Sequence, residues 1–153
     1  MTIPQLSVHI ENEPGRLLTV TEALGRAGVN IRGLTLQEAE VNGTLRLITS
    51  DLRAARNILM SLEIPGSVED VVAVRIPDAP GSLADVLDPL YRNSINIRYA
   101  YSLLVEKAAV IILRCSDNRK GEQTLDNAGF RTLSIEDVVG SSTSLGNSVG
   151  TEE

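Results

Sequence analysis

Two six-residue segments of the chain carry residue types that bind small polar ligands. They run from Asn12 to Leu17 and from Asp78 to Leu83, and each places an amide or carboxylate side chain two residues before a Pro-Gly pair. A helix that starts directly after such a pair has backbone N–H groups with no intrahelical acceptor, and these groups can bind a carboxylate. The oxygens of Asn12 and Asp78 can accept hydrogen bonds from an ammonium group. The pattern therefore predicts two binding sites.

The same residues also have a purely structural interpretation. Pro-Gly pairs commonly do no more than make a turn, and an Asn at the start of a strand often satisfies its own backbone. This interpretation stays open for each residue alone, whereas the whole set favours ligand binding.

An internal repeat contains both segments. Asn12–Leu17 and Asp78–Leu83 lie 66 positions apart, and so do Asn30–Arg32 and Asn96–Arg98. The offset becomes 67 only near the end, where Ser134–Val139 repeats Ser67–Val72. An offset held over such a length indicates two copies of one folding unit.

Hydrophobic periodicity predicts the elements of each unit. Leu6, Val8 and Ile10 alternate with polar residues, as in a half-buried strand, and Leu17 begins a helical stripe of apolar residues after the turn. Second and third strands follow, then a helix capped by Asp51 in the first unit and by Asp117 in the second. Final strands are predicted over residues 67–69 and 132–135. Each unit thus reads β-α-β-β-α-β, the ferredoxin-like arrangement.

Composition restricts the class of protein. The chain has 153 residues, of which 42% are hydrophobic and 3% aromatic, and its formal charge is −6. This charge argues against nucleic acid as a partner. A single Cys115 suits a reducing compartment, and no apolar run is long enough to span a membrane. We therefore expect a soluble, cytoplasmic protein.

Catalytic motifs are missing from the sequence. His9 is the only histidine, and Cys115 lies in an apolar run that is typical of a core strand. One His and one Cys cannot make a typical zinc site, and no Gly-rich phosphate loop occurs. We expect no enzyme activity, no metal and no cofactor.

The order strand, [Asn/Asp]-x-Pro-Gly-x-Leu, helix, Gly-Val-Asn-Ile, strand resembles the ACT domain, a regulatory module that binds amino acids. Residues 3 to about 139 resemble the tandem ACT proteins, with one unit in residues 1–69, a second in residues 70–139, and a disordered tail in residues 140–153. The resemblance implies an α+β fold in which the two units pair edge to edge, through their second strands, into one antiparallel sheet with the helices on one face.

The resemblance also implies how the sites are completed. In paired ACT domains the turn of one unit faces the Asn at the start of the second strand of its neighbour. Asn96 would then complete a site with residues 12–17, and Asn30 a site with residues 78–83. The expected ligand-binding residues are Asn12, Glu13, Pro14, Gly15, Arg16, Leu17, Asn30, Ile31, Asp78, Ala79, Pro80, Gly81, Ser82, Leu83, Asn96 and Ile97.

The expected function is that of a sensor. A free amino acid would bind between the two units and modulate a partner enzyme of amino-acid metabolism or a regulator. The helix-free sheet face carries Ser7, His9, Ala73 and Arg75, which look too polar for a core, so we expect it to pair with a second copy in a homodimer. Two alternatives are an interaction module with a vestigial pocket and an unrecognised small enzyme.

Five further residues break the symmetry of the repeat or stand near the expected sites. Tyr99 and Tyr101 share one face of a strand, where they pack across an interface between the units, pack across a dimer interface, or form the wall of a pocket. Arg32 and Arg98 fit solvated or interfacial ion pairs better than carboxylate clamps. Pro89 falls inside a predicted helix and should kink it.

Overall fold

The computed structural model describes residues 1–140, which form twelve elements. The first unit contains β1 (Ile3–Glu11), α1 (Arg16–Arg26), β2 (Ile31–Gln37), β3 (Asn42–Thr49) and α2 (Leu52–Ser61). A long strand, β4 (Gly66–Ile76), follows. The second unit continues with α3 (Ser82–Arg92), β5 (Ile97–Val105), β6 (Ala108–Cys115), α4 (Asn118–Asn127), β7 (Arg131–Thr132) and α5 (Ile135–Val139).

Both predicted helix caps that follow a third strand are confirmed. The Asp51 carboxylate accepts a hydrogen bond from the Ala54 amide at 3.0 Å, and the Asp117 carboxylate accepts one from the Lys120 amide at 3.0 Å. Each bond satisfies one of the amides that a helix start leaves free.

Strand β4 belongs to both units. Its first part pairs with β1, from Val8 opposite Gly66 to Ile3 opposite Val71, and its second part pairs with β6 from Val72 onward. The strand order is β2-β3-β1-β4-β6-β5, with β7 also paired to β4. The edge-to-edge antiparallel sheet is thus confirmed. The prediction that the second strands join the units is wrong, because β2 and β5 lie at opposite ends of this order.

In each unit the two long helices cover one face of that unit's part of the sheet. Leu6, Val8 and Ile10 of β1 pack with α1 and α2 in one core cluster, and Val72, Val74 and Ile76 of β4 pack with α3 and α4 in another. The alternation of strand side chains explains why only every second residue joins these clusters. None of the helices within residues 1–140 is long and apolar enough to cross a membrane.

The helix-free faces of the two units pack against each other. A third cluster, called the interface core here, joins both units through Ile3, Ile48, Val71, Ala73, Leu103, Val110, Ile112, Leu133 and Val138. The expectation that this face is too polar for a core is wrong. Ser7 and Ala73 are buried, and only His9 and Arg75 of the four residues named for it remain exposed. The face that we expected to pair with a second copy is therefore buried within the chain, so it gives no support to a homodimer.

A polar network lies beside the interface core. Gln5 is completely buried; its Nε2 donates to the Tyr99 hydroxyl at 2.7 Å, and its Oε1 accepts a short hydrogen bond from Tyr101. The Tyr99 hydroxyl donates in turn to Glu69 at 2.8 Å. The guanidinium of Arg46 stacks 3.8 Å from the centre of the Tyr99 ring, a cation–π geometry. The two tyrosines thus pack across the interface between the units, as one of the sequence interpretations proposed.

Alkaline pH should weaken this interface. Burial raises the pKa of the Tyr101 hydroxyl, with a smaller contribution from Tyr99, and burial likewise raises the pKa of Tyr99. Stability from such groups is complete below the unfolded-state pKa of about 10 and is lost as pH rises through the folded-state pKa. Urea unfolding between about pH 9 and pH 12 should therefore show a fall in the free energy of unfolding above about pH 10.

The matched variants for this pH series isolate the two buried hydroxyls. Tyr99→Phe/Tyr101→Phe should flatten the alkaline fall in stability, while Tyr91→Phe, at a side chain that is 82% exposed, is the control. Part of the fall should remain, because burial also raises the pKa of the Cys115 thiol, to about 11. Equal pH profiles for the wild type and the double variant would contradict the assignment.

The C-terminal part of the second unit differs from the prediction. The expected strand over residues 132–135 is shortened to β7, because Ser134 forms a capping box with Asp137 and starts α5 at Ile135. Helices α2 and α4, which follow the two Asp caps, both have ten residues. Apart from Gly140, the tail predicted to be disordered lies outside the described residues.

Gly121 has a packing role in α4. A Cβ atom at this position would lie 2.8 Å from the Sγ atom of Cys115. Cys115 itself is 1% exposed and belongs to the core of the second unit. The glycine therefore allows a close approach of helix and strand.

Candidate functional site

The two Pro-Gly turns adopt matching conformations. Gly15 and Gly81 each have φ of 86° and occupy the N-cap positions of α1 and α3. An L side chain is strained in this left-handed region, whereas glycine is not. The turns therefore start both helices in the same way, as the repeat predicts.

Both helix starts leave backbone amides free. Within residues 1–140, neither α1 nor α3 has a side-chain cap, and the amides of Leu17, Leu18, Leu83 and Ala84 have no acceptor. The other three helices are capped by Asp51, Asp117 and Ser134. Free amides at the positive end of a helix dipole attract an anion.

A cavity of about 310 Å³ opens beside the first turn. The end of β1, the start of α1, the end of β2 and the start of β3 form its walls. This first pocket is lined by Ile10, Glu11, Asn12, Glu13, Arg16, Leu17, Leu36, Glu38 and Gly43.

A second cavity, of about 380 Å³, opens beside the second turn. Its walls come from the corresponding elements β4, α3, β5 and β6. This second pocket is lined by Ile76, Pro77, Asp78, Ala79, Ser82, Leu83, Ser102, Leu103, Leu104, Ala109 and Ile111.

The two pockets are the same place in the repeat. Each of the nine residues that line the first pocket has its counterpart, 66 positions later, in the lining of the second. Leu103 and Ile111 are additional in the second pocket. A shallow surface depression formed by chance would not recur at equivalent positions, so the cavity is a property of the unit.

Charged side chains dominate the first pocket. Arg16 Nε lies 3.8 Å from a carboxylate oxygen of Glu11, too far for a hydrogen bond, and this buried nitrogen has no acceptor within residues 1–140. The Nδ2 of Asn12 donates to Glu38 at 3.3 Å. The Asn12 Oδ1 is thereby left as an acceptor at the pocket mouth.

The second pocket is mostly apolar. Leu83 and Leu104 line it with 43% and 69% of their surfaces exposed. Its polar groups are the Asp78 carboxylate and the hydroxyls of Ser82, which is buried, and Ser102. Asp78 is the only residue of this lining that carries a formal charge.

The structure brings only part of the predicted residues together. Asn12, Glu13, Arg16 and Leu17 line the first pocket; Asp78, Ala79, Ser82 and Leu83 line the second. Pro14, Gly15, Pro80 and Gly81 form the turns beside them.

The remaining four predicted residues lie elsewhere in the chain. The backbone N–H of Asn30 donates to Ser50 Oγ at 2.8 Å, and the backbone N–H of Asn96 donates to Ser116 Oγ at 3.1 Å. These positions are at the opposite ends of β2 and β5 from the pockets. Ile31 and Ile97 pack against the cores of their own units. Completion of each site by the Asn of the other unit stays a prediction.

Sequence reasoning missed the pocket walls that come from the second and third strands. Leu36, Glu38 and Gly43 complete the first pocket, and their repeat partners Ser102, Leu104 and Ala109 complete the second. The 66-residue offset relates these residues too, but their types are not shared between the units, so no motif marked them.

Comparisons with known proteins agree with this architecture. Protein BT0572 from Bacteroides thetaiotaomicron is 33% identical, with a TM-score of 0.86 over 92% of this chain and 98% of that one. The ligand-free regulatory subunit of aspartate kinase from Thermus thermophilus is 17% identical, with a TM-score of 0.58 over 82% of this chain and 91% of that one. Aspartate kinase from Clostridium acetobutylicum is 16% identical, with a TM-score of 0.55 over 84% of this chain and 33% of that one.

A search of curated proteins found no match. A family model, by contrast, matches residues 1–137, nearly the whole of the described chain, and its description is "ACT domain pair". This is a regulatory, non-catalytic type of domain. The chain therefore belongs to the ACT domain pair family.

Proposed function

We propose that the protein is a non-enzymatic sensor that binds free amino acids in its two turn pockets and passes the signal to a partner enzyme or regulator. The observation that carries this proposal is the recurrence of one cavity at equivalent positions of both units, each beside an uncapped helix start. A reducing, cytoplasmic setting fits the single buried thiol of Cys115.

The pocket chemistry suits both ends of an amino acid. An α-carboxylate fits the free amides of Leu17 and Leu18 beside the first pocket and those of Leu83 and Ala84 beside the second. An α-ammonium group fits the side-chain oxygens of Asn12 and Asp78, which stand on the other side of each turn. The ligand side chain then points toward the walls from β2 and β3, or from β5 and β6.

Signal transfer follows from the contact between the units. Leu103 lines the second pocket and also belongs to the interface core. Its Cδ2 atom packs so closely on Gly33 of β2 that a Cβ atom there would lie 2.8 Å away. A ligand that orders Leu103 therefore acts on a side chain that touches both units, and it favours one packing of that interface.

An enzyme of amino-acid metabolism is the partner that we propose. Support comes from the aspartate kinases with the same fold, in which a region of this size is a regulatory subunit or a third of a longer chain. The homodimer also stays a proposal. In it, β2 or β5, the two strands that end the sheet in the described part of the chain, would pair with an edge strand of a second copy.

Isothermal titration calorimetry against the proteinogenic amino acids, after a thermal-shift screen, tests the proposal. We expect binding with a stoichiometry of one or two per chain, and a rise in melting temperature through mass action. Asn12→Ala/Asp78→Ala should weaken binding roughly 10- to 100-fold, because an ammonium group loses a charge-assisted hydrogen bond.

The control for this variant is Asn57→Ala/Asp88→Ala, which removes the same two residue types from exposed helix positions. It should bind like the wild type. No heat and no thermal shift with any amino acid at millimolar concentration would refute the sensor.

The interaction module is the second candidate function. The exposed leucines Leu83 and Leu104 form an apolar surface at the second turn, of a kind that also binds protein partners. Under this alternative, Asn12→Ala/Asp78→Ala would leave the binding of a partner protein unchanged.

A further inference from the structure

We infer that the two pockets select different ligands: the first takes an amino acid with a cationic side chain, and the second one with an aliphatic side chain. This inference rests on the proposed function, since it names the ligand class of the same two sites. It follows from a position-by-position comparison that the repeat makes possible.

The charged walls of the first pocket have no charged counterparts in the second. Among the nine matched positions, four are charged in the first pocket and uncharged in the second, and one change adds a charge to the second, Asn12 to Asp78. The four replaced pairs are Glu11 and Pro77, Glu13 and Ala79, Arg16 and Ser82, and Glu38 and Leu104.

The first pocket holds an excess of carboxylates. Three carboxylates face one guanidinium, and that guanidinium lies nearest to Glu11. Glu13 and Glu38 have no cationic partner within residues 1–140. Two unneutralised carboxylates across a cavity favour a ligand that brings its own positive charge, in addition to the α-ammonium group.

Arg16 adds to this selection at the other end of the pocket. Its buried Nε has no acceptor in the described part of the chain, and it stands in the first turn of α1, beside the free amides. A ligand α-carboxylate placed there would satisfy both. The carboxylates are thereby left for the side chain of the ligand.

The second pocket offers apolar surface where the first offers charge. Leu104 replaces Glu38 and is 69% exposed, and Leu83 beside it is 43% exposed. An aliphatic ligand side chain would remove this surface from water. A cationic side chain would instead lose its hydration without gaining an ion pair, because no carboxylate lies on that wall. The Asp78 carboxylate stands at the turn, where it accepts hydrogen bonds from the α-ammonium group.

L-Lysine and L-norleucine are the probes that separate the two sites, because they differ only in the terminal ammonium group. We expect each to bind one site per chain in calorimetry, with lysine titrating normally into protein already saturated with norleucine. Reciprocal exchange variants assign the sites: Glu38→Leu should weaken lysine binding about tenfold or more and leave norleucine binding unchanged. Leu104→Glu should weaken norleucine binding and leave lysine binding unchanged.

Three results would overturn the inference while the sensor survives. These are competition of lysine and norleucine for one site, an equal effect of Glu38→Leu on both ligands, and binding of other amino acids only. Circular dichroism checks that the exchange variants fold. If Glu38→Leu does not fold, Glu13→Ala, at an exposed position of the same pocket, repeats the lysine test. Absence of binding by all amino acids would instead refute the proposed function itself.

Discussion

Gln5→Ala should lower the free energy of unfolding by about 3 to 5 kcal/mol, since it removes two buried hydrogen bonds and leaves a cavity. Gln5 is 0% exposed and joins β1 of the first unit to Tyr99 and Tyr101 of the second. The Tyr101 hydroxyl would lose its acceptor, and the Tyr99 hydroxyl would keep only its hydrogen bond to Glu69. Urea unfolding at neutral pH measures the effect.

Two further variants show whether the network or the side-chain volume is responsible. Gln123→Ala changes the same residue type at an exposed position of α4 and should shift stability by no more than about 0.5 kcal/mol. Gln5→Leu combined with Tyr99→Phe and Tyr101→Phe should recover much of the loss, because the buried amide and both hydroxyls are then replaced by apolar groups. Of the network only Glu69 remains, and its partly exposed side chain can turn to water. A Gln5→Ala variant as stable as the wild type would disprove the role of the network.

Gly66→Ala should destabilise the protein by about 2 to 3 kcal/mol through overpacking. Gly66 pairs with Val8 where β4 joins β1, and a Cβ atom there would lie 2.9 Å from the Ser7 carbonyl oxygen and collide with the Val8 side chain. Because a backbone atom of a paired strand cannot move aside cheaply, β1 and β4 would separate locally.

Gly25→Ala is the matched control for this substitution. Gly25 lies in α1, and a Cβ atom there would meet no other atom within 4 Å. Alanine should stabilise the helix at this position by about 0.5 to 1 kcal/mol. Thermal or urea unfolding of the two variants should therefore give shifts of opposite sign; shifts of the same sign and size would contradict the packing argument.

The repeat made the content of each unit predictable, but not the way in which the units join. Alternating residues such as Val72 and Val74 mark a strand, and Asp51 and Asp117 mark helix starts, because these signals are local. That residues 66–76 form one strand is not a local property. It depends on pairing with β1 on one side and β6 on the other, and the predicted boundary after residue 69 falls inside that strand.

The candidate site was predictable only where it coincided with a motif. The turns were found because Pro-Gly and the preceding Asn or Asp recur in both units. The walls from β2 and β5 were not found, since Glu38 and Leu104 share a position in the fold but no chemistry. Buried Gln5 was missed for a related reason: nothing in an alternating strand sequence shows that its polar positions face the strands of the other unit.

The shared strand β4 couples the unfolding of the two units. With no linker between them, neither can swing away on a hinge, and neither can be cut out without removing a strand that its neighbour needs. The chain should melt as one cooperative body. If the proposed function holds, occupancy of one pocket would protect the other half from unfolding and proteolysis, so that a ligand bound to either unit would set the lifetime of the whole molecule.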